Sequence, residues 1–271
     1  EHMTKKTTSP EFISLEEAAK MKEGTRITFV PGIQAIYAEA LKNICYVKKI
    51  KIIRVLHPFM GIDKKTGKDR QARLYELTSQ KSLPTMFHDE ERPRNVWIEQ
   101  LALAEKIGSS DSINLIPDNF QERADMFGLC AIVLGEDGLV WNMRILSDGP
   151  LARKYGYSDD ASSKAPSKMA EIVKVIDRQL EKQQEKGSKY LIGDKISAVD
   201  IYWSTISMTI LPASLEIMPK TKQNEGMLFF FEANSKIPEI KEVLTDRILS
   251  HRDYILKTYC ETPAVLGGDP I

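Results

Sequence analysis

Residues 189–208 read KYLIGDKISAVDIYWSTISM and contain the start of a helix. Ser197 and Asp200 form an S-x-x-D pattern, in which each side chain can bind a backbone N–H of the first turn. Ile196 and Ile201 flank this capping box and can pack against each other. Apolar residues then follow on more than one side of the helix, at Ile201, Trp203, Ile206, Met208 and Ile210. Because such a helix is normally buried, we predict that it lies at the centre of a domain.

The composition is that of a globular protein without an extended charged surface. The 271 residues contain 38 basic and 38 acidic side chains, which argues against a nucleic-acid partner. No apolar run approaches the roughly 20 residues of a membrane span, so we expect no membrane partner. Cys45, Cys130 and Cys260 are widely spaced, which favours a reducing, cytoplasmic setting and argues against a disulfide framework or a metal site.

The first hundred residues show the order strand, helix, strand. Residues 1–12, EHMTKKTTSPEF, are expected to be a disordered leader, with an entry segment continuing to residue 24. Residues 26–30 are rich in β-forming side chains, residues 34–44 carry apolar side chains at helical spacing, and residues 46–56 return to strand composition. This length and order predict a βαβ unit with a right-handed crossover.

A polar loop is predicted for residues 57–73, before the strand-like phrases at 74–77 and 82–87. The second phrase, SLPTMF, contains Pro84. Proline cannot donate to a sheet ladder, so one interpretation is an edge strand. The other is a cis proline that exposes the preceding residue's backbone to a ligand, as in thioredoxin-like folds.

The rest of the chain is predicted to be helical. A helix at 95–107, with Asn95 as its N-cap, precedes a polar linker at 108–114. Helices then follow, with a break at 135–138 and a long loop at 147–167. Residues 168–186 show one apolar stripe and predict a helix that precedes the capped one.

Three phrases together resemble the cytosolic glutathione transferases. The string YL.GD..S..D in residues 190–200 resembles the box that nucleates the central helix of their C-terminal domain. KSLPTMF and ALKNICYVKKI resemble two phrases of their N-terminal domain. The resemblance implies a thioredoxin-like α/β domain with a mixed four-stranded sheet at 25–108 and an all-α helical bundle at 109–271. It also implies a homodimer.

The resemblance places the thiol of glutathione at the turn after the first strand, where the family has a Tyr, Ser or Cys. Here residues 30–34 read VPGIQ and offer no hydroxyl or thiol. The candidates for thiolate stabilisation are therefore the Gln34 side chain and the backbone N–H groups of Ile33 and Gln34, close to the helix N-terminus. Tyr37, one turn into the helix, is a further candidate, although a core aromatic role is favoured.

The resemblance assigns the rest of glutathione to Leu83 and Pro84. The family's Glu/Gln–Ser pair, which holds the γ-glutamyl end, is replaced by Arg94 and Asn95. Arg94 can pair with a carboxylate and Asn95 can accept an amine. A solvent-exposed arginine followed by an N-cap is an equal alternative.

A second substrate would lie between the domains, against the first helices of the C-terminal domain. Met126, Phe127, Trp141 and Arg144 are the candidates, although such apolar side chains more often form a core. Arg144 among apolar neighbours requires an anionic partner.

The function expected from the resemblance is a transferase, isomerase or reductase that uses glutathione as co-substrate against a hydrophobic electrophile. The partner would be a small hydrophobic or anionic molecule. The alternative is a glutathione-transferase-like protein that has lost thiol chemistry and serves for binding or interaction, which the missing catalytic side chain favours.

Overall fold

A computed structural model describes residues 9–269 and Ile271, so the first eight residues of the expected leader lie outside the described chain. From residue 9 onward, the described part of the N-terminal half contains four strands and four helices. In chain order they are β1 (Phe12–Ile13), α1 (Leu15–Lys20), β2 (Thr25–Phe29), α2 (Ile36–Val47), β3 (Ile52–Leu56), α3 (Ala72–Thr78), β4 (Met86–His88) and α4 (Trp97–Ile107).

The four strands form one mixed sheet in the order β1-β3-β2-β4. β3 pairs in parallel with β1 and with β2, and β4 pairs antiparallel with β2. This is a thioredoxin-like sheet, which confirms the predicted fold class. β1 and α1 fall within the segment expected to be a leader and entry, so the sheet begins earlier than Thr25. β4 lies at the edge of the sheet, and the Leu83–Pro84 peptide before it is cis.

The C-terminal half is helical throughout its described elements. In chain order they are α5 (Phe120–Leu134), α6 (Leu139–Arg144), α7 (Pro150–Lys154), α8 (Asp159–Glu185), α9 (Ala198–Ile206), a short 3-10 turn (Ser207–Thr209), α10 (Glu225–Ser235), α11 (Pro238–Lys241) and α12 (Asp246–Tyr259). Together with the sheet half, this is the predicted two-part architecture.

α9 is the central helix, and every one of its nine residues is buried. Ser197 is its N-cap, and Asp200 makes the predicted bond back to the Ser197 N–H, whereas the buried Ser197 Oγ has no hydrogen-bond partner among the described residues. The buried Asp200 carboxylate accepts the backbone N–H groups of Ser197 at 3.0 Å and of Leu191 at 2.9 Å, and its Oδ1 lies 2.8 Å from His251 Nε2. Asp200 therefore caps α9 and, through His251, also connects α9 to α12.

Several local predictions were wrong. Residues 74–77 belong to α3, a short helix that buries Leu74 and exposes Tyr75. The strand predicted at 46–56 begins only at Ile52, because the buried stripe of α2 continues through Cys45 and Val47. α4 begins at Trp97 with Val96 as its N-cap, so Asn95 does not cap it.

The loop predicted at 147–167 contains α7 and the first part of α8. Its polar side chains face solvent while Ala165 and Met169 are buried, so the composition reflects one exposed helix face. Ser158 caps α8 by accepting the Ala161 N–H, and Pro166 lies inside the helix.

Candidate functional site

A cleft of about 410 Å³ opens between the sheet half and the helical half. It is lined mainly by apolar and aromatic side chains. Its charged side chains are all basic, and no Asp or Glu lines it among the described residues. Its residues come from the start of α2, the segment before β4, the start of α4, and α6 and α7.

One wall of the cleft is the segment from Ser82 to Pro84, which bends at Leu83 and Pro84. Thr85 and Gln100 hold its ends, because Thr85 Oγ1 donates to the Ser82 carbonyl at 3.0 Å and Gln100 Nε2 donates to the Pro84 carbonyl at 3.0 Å. Among the described residues, neither the N–H nor the carbonyl of Leu83 has a hydrogen-bond partner. The fold therefore presents an unpaired backbone edge at Leu83, which an extended peptide can pair with.

The turn after β2 is held by the helical half. The Gln34 N–H donates to Asn224 Oδ1 at 2.8 Å, and Thr221 Oγ1 donates to the Gly32 carbonyl at 2.6 Å. The Ile33 N–H donates within the turn to Val30 at 3.2 Å. Both backbone donors predicted for the thiolate are therefore engaged by the protein. The Gln34 side chain is buried beside Met208 and does not line the cleft.

The first turn of α2 also faces the cleft. Its N-cap, Ala35, makes no side-chain capping bond, so the N-terminal partial charge of the helix is uncovered there. Tyr37 lines the cleft but donates its hydroxyl to the Leu134 carbonyl at 2.6 Å. Burial raises the Tyr37 pKa well above its ordinary value. The phenol is thus a structural link to α5 and a poor source of a phenolate.

The cleft carries a cluster of positive charge. The Arg144 guanidinium lies at the end of α6, with its Cζ 5.9 Å from the centre of the Tyr155 ring. Its Nε is buried without a hydrogen-bond partner. Lys154 ends α7, and its pKa is lowered first by burial and then by the charges of Arg144 and Lys81. Lys81 is paired with Asp69. Among the described residues that line the cleft, Arg144 and Lys154 are therefore the cations without an acidic partner.

His57 lies at the floor of the same cleft. Its Nδ1 is 3.1 Å from Thr28 Oγ1, which also accepts the Thr85 N–H at 2.8 Å. Burial, followed by the charge of Lys154, lowers the His57 pKa to about 4. The imidazole is therefore neutral near pH 7 and helps to fix the segment that carries Leu83.

The predicted site residues fall into two groups. The cleft brings together Ile33, Tyr37, Leu83, Pro84, Asn95, Trp141 and Arg144. Met126 is fully buried in the helical core, and Phe127 packs against that core, so neither lies in the cleft. Arg94 pairs with Glu91 at 2.6 Å and also lies outside it, whereas Asn95 donates to Thr85 Oγ1 at 2.9 Å.

Sequence reasoning did not single out His57, Lys81, Lys154 or Tyr155. Lys154 is the last residue of α7 and Tyr155 is its C-cap, and both lie inside the stretch predicted as a loop. Proline at the first helical position, here Pro150 after Gly149, is a recognised helix-start signal that would have revealed α7. No comparable signal marks His57, because its role depends on the packing of distant segments.

Two further features bear on the type of site. Among the described residues, no group of three or more His, Cys, Asp or Glu side chains could hold a metal ion. The stretch Phe120–Arg144 is long and apolar enough to cross a membrane, but half of it is buried and a turn divides it into α5 and α6. It therefore packs here as part of the helical core.

The fold is similar to that of several solved structures. The β-etherase LigF from a Sphingobium strain matches with a TM-score of 0.53 at 14% identity, over 81% of this chain and 98% of LigF. A complex of yeast Ure2p with glutathione matches with a TM-score of 0.53 at 10% identity, over 83% of this chain and 100% of the Ure2p chain. A glutathione transferase homologue from Sulfitobacter, with bound glutathione, matches with a TM-score of 0.51 at 12% identity, over 82% of this chain and 97% of the homologue.

No protein-family model and no curated protein matches the sequence. The chain nevertheless has the two-domain fold of the glutathione transferases, and the resemblance predicted from its sequence is confirmed at the level of the fold. Identities of 10–14% define the fold alone, so the activity must be argued from the cleft.

Proposed function

We propose that the protein binds glutathione in the cleft and uses its thiol, as transferase, isomerase or reductase, against an apolar electrophile. The observation that carries this proposal is the unpaired backbone of Leu83 at the wall of the cleft. A short extended peptide can form two backbone hydrogen bonds there, as an added strand does at a sheet edge. Solved structures of the same fold contain glutathione, which makes that peptide the natural candidate.

The electrostatics of the cleft favour a thiolate. The uncovered N-terminus of α2 and the basic side chains of Arg144 and Lys154 supply positive potential, and no acidic side chain opposes it among the described lining residues. Such surroundings lower the pKa of a thiol and raise the fraction of its nucleophilic form. The thiol of glutathione would therefore be activated by the positive electrostatic potential of the cleft rather than by a hydroxyl in the turn.

A second candidate function is binding without thiol chemistry. It is favoured by the turn after β2, where no hydroxyl or thiol is present and the N–H groups of Ile33 and Gln34 are already engaged. Under this alternative glutathione, or another small anionic or hydrophobic molecule, occupies the cleft and is not turned over.

Two measurements separate these functions. A thermal-shift titration with glutathione tests binding, since a ligand at a hundred times its dissociation constant adds about 2.7 kcal/mol of stability. Dithiothreitol at equal thiol concentration is the control for reduction of the protein. Conjugation of glutathione to a chloronitrobenzene then tests turnover. A shift with conjugation supports the enzyme, and a shift alone supports the binding protein. No shift contradicts the enzyme and any binding of glutathione.

The proposal includes a cytoplasmic homodimer. All three cysteines are buried as free thiols, which suits a reducing compartment where glutathione is available. The loop after β3 exposes Phe59, Met60 and Ile62, an apolar patch that a second copy of the chain could cover. Light scattering with size-exclusion chromatography tests this part, and a monomer at all concentrations would contradict it.

A further inference from the structure

We infer that the electrophile taken by this cleft is an amphipathic anion. Its acidic head binds at Arg144 and Lys154, and its apolar body packs against the Trp141 and Tyr155 rings. This inference rests on the proposed function and names its class of second substrate. The head would be an oxyanion such as a carboxylate or a sulfonate.

Arg144 is arranged as a binding group without its ligand. Its Nε is buried with no hydrogen-bond partner among the described residues, and its Cζ lies 5.9 Å from the centre of the Tyr155 ring, with no carboxylate paired to it. A buried charge without a counter-ion costs several kcal/mol, and an anionic ligand at Arg144 would offset that cost. A planar guanidinium at the end of α6 suits bidentate contact with an oxyanion.

Lys154 adds the second charge from the neighbouring helix. It lines the same cleft as Arg144, and the Arg144 charge contributes to the lowered pKa of Lys154. Lys154 and the adjacent Arg153 are both exposed, but Arg153 is paired with Asp148 at 2.8 Å, whereas Lys154 has no acidic partner among the described residues. Among the described basic residues that line the cleft, Lys81 is paired with Asp69, whereas Arg144 and Lys154 have no acidic partner.

The neighbours of these cations are apolar and aromatic. Trp141 packs edge-to-face against Tyr155 with ring centres 4.8 Å apart, and Leu151, Trp97 and Met227 also line the cleft. An inorganic anion would leave this surface uncovered, so the geometry fits a molecule that carries both an aromatic or aliphatic body and an acidic head.

Glutathione itself carries two carboxylates and is the other source of the same chemistry. The test therefore compares a chloronitrobenzoate with its uncharged chloronitrobenzamide as acceptors. In each reaction the thiolate forms a carbon–sulfur bond, the carbon–chlorine bond breaks, chloride leaves with the electron pair, and the thiol proton passes to solvent.

The expected result is that the wild-type protein prefers the benzoate, and that Arg144→Met lowers kcat/KM for the benzoate by about tenfold to a hundredfold. The benzamide reaction and the KM for glutathione should change little. Arg153→Met, which removes an exposed and paired cation near the cleft, should leave both reactions unchanged. An equal loss for both acceptors, or a raised KM for glutathione with no change in preference, would overturn the inference and assign the cations to glutathione.

Calorimetry of the benzoate in the presence of a non-reactive S-alkyl glutathione keeps the inference testable if no turnover occurs. Arg144→Met should weaken the binding of the benzoate and not that of the S-alkyl glutathione. The same substitution should raise the melting temperature of the ligand-free protein, because it removes an uncompensated buried charge. A lower melting temperature with unchanged affinity for the benzoate would show a purely structural arginine.

Discussion

The side-chain oxygen of Asn224 accepts the backbone N–H of Gln34 at 2.8 Å, across 190 positions of sequence. Both residues are buried. The helical half therefore holds the turn at which the resembling family activates its thiol. This contact explains how the turn can keep its shape without a catalytic hydroxyl, and why its own N–H groups are not free to bind a thiolate.

Replacement of Asn224 by Ala should destabilise the protein and alter the turn. The Gln34 N–H would remain buried without an acceptor, which costs about 1–3 kcal/mol in the free energy of unfolding. Urea denaturation followed by circular dichroism measures this change.

Asn234→Ala is the matched control for that variant. Asn234 is also buried and donates to the Thr209 carbonyl at 3.0 Å, but its contact lies within the helical half. Both variants should lose stability, and only Asn224→Ala should change the affinity for glutathione. Equal affinities in the two variants would show that the turn does not contribute to the site.

The Asp200 carboxylate should matter more to stability than the Ser197 hydroxyl. Asp200→Ala leaves two backbone N–H groups and His251 without their buried acceptor, which we expect to cost about 3–5 kcal/mol. Ser197→Ala keeps the N–H that Asp200 accepts, so we expect a loss of about 1 kcal/mol or less. Denaturant titrations of the two variants check this order, and equal losses would contradict it.

His57 should make the protein less stable in mild acid. Its folded pKa of about 4 lies below the ordinary value of 6.5, so the unfolded chain binds the extra proton first. The stability it contributes is present above pH 6.5 and is lost as the pH falls towards 4, by about 3 kcal/mol. His57→Gln should show a shallower loss over this window in urea midpoints measured at several pH values. Identical slopes would contradict the burial of a neutral imidazole.

Pro166→Ala should stabilise the protein. Pro166 lies inside the 27-residue helix α8, where it cannot donate a hydrogen bond to the preceding turn. Alanine restores that donor and should raise the free energy of unfolding by about 1–3 kcal/mol. Ser167→Ala, an exposed change in the same helix, is the control and should have little effect. A loss of stability in Pro166→Ala would show that the proline is required for packing.

The parts of the fold that local chemistry determines could be predicted from the sequence. Ser197 and Asp200 cap a helix through contacts within four residues, and the apolar run behind them requires burial. Pro84 likewise restricts the backbone conformation of the segment that contains it. Predictions failed where distant packing decides the outcome. The first part of α8 was predicted as a loop because its exposed face is polar and the residues that bury Ala165 lie elsewhere in the chain.

The candidate site was predictable only in part for the same reason. Leu83 and Pro84 could be located from their phrase, and Arg144 from its apolar neighbours. Gln34 could not be assigned correctly, because its partner Asn224 lies on the other half of the molecule. Met126 and Phe127 share the helical spacing of cleft residues but face the core, a difference that periodicity does not reveal.

Hydrogen–deuterium exchange at the Leu83 amide, with and without glutathione, tests the central claim most directly. Leu83 has no internal hydrogen-bond partner among the described residues, so its amide should exchange rapidly in the free protein. Added glutathione should slow the exchange of this amide, while dithiothreitol at the same thiol concentration should not. Exchange at Leu83 that glutathione leaves unchanged, under conditions where glutathione binding is saturated, would contradict the account.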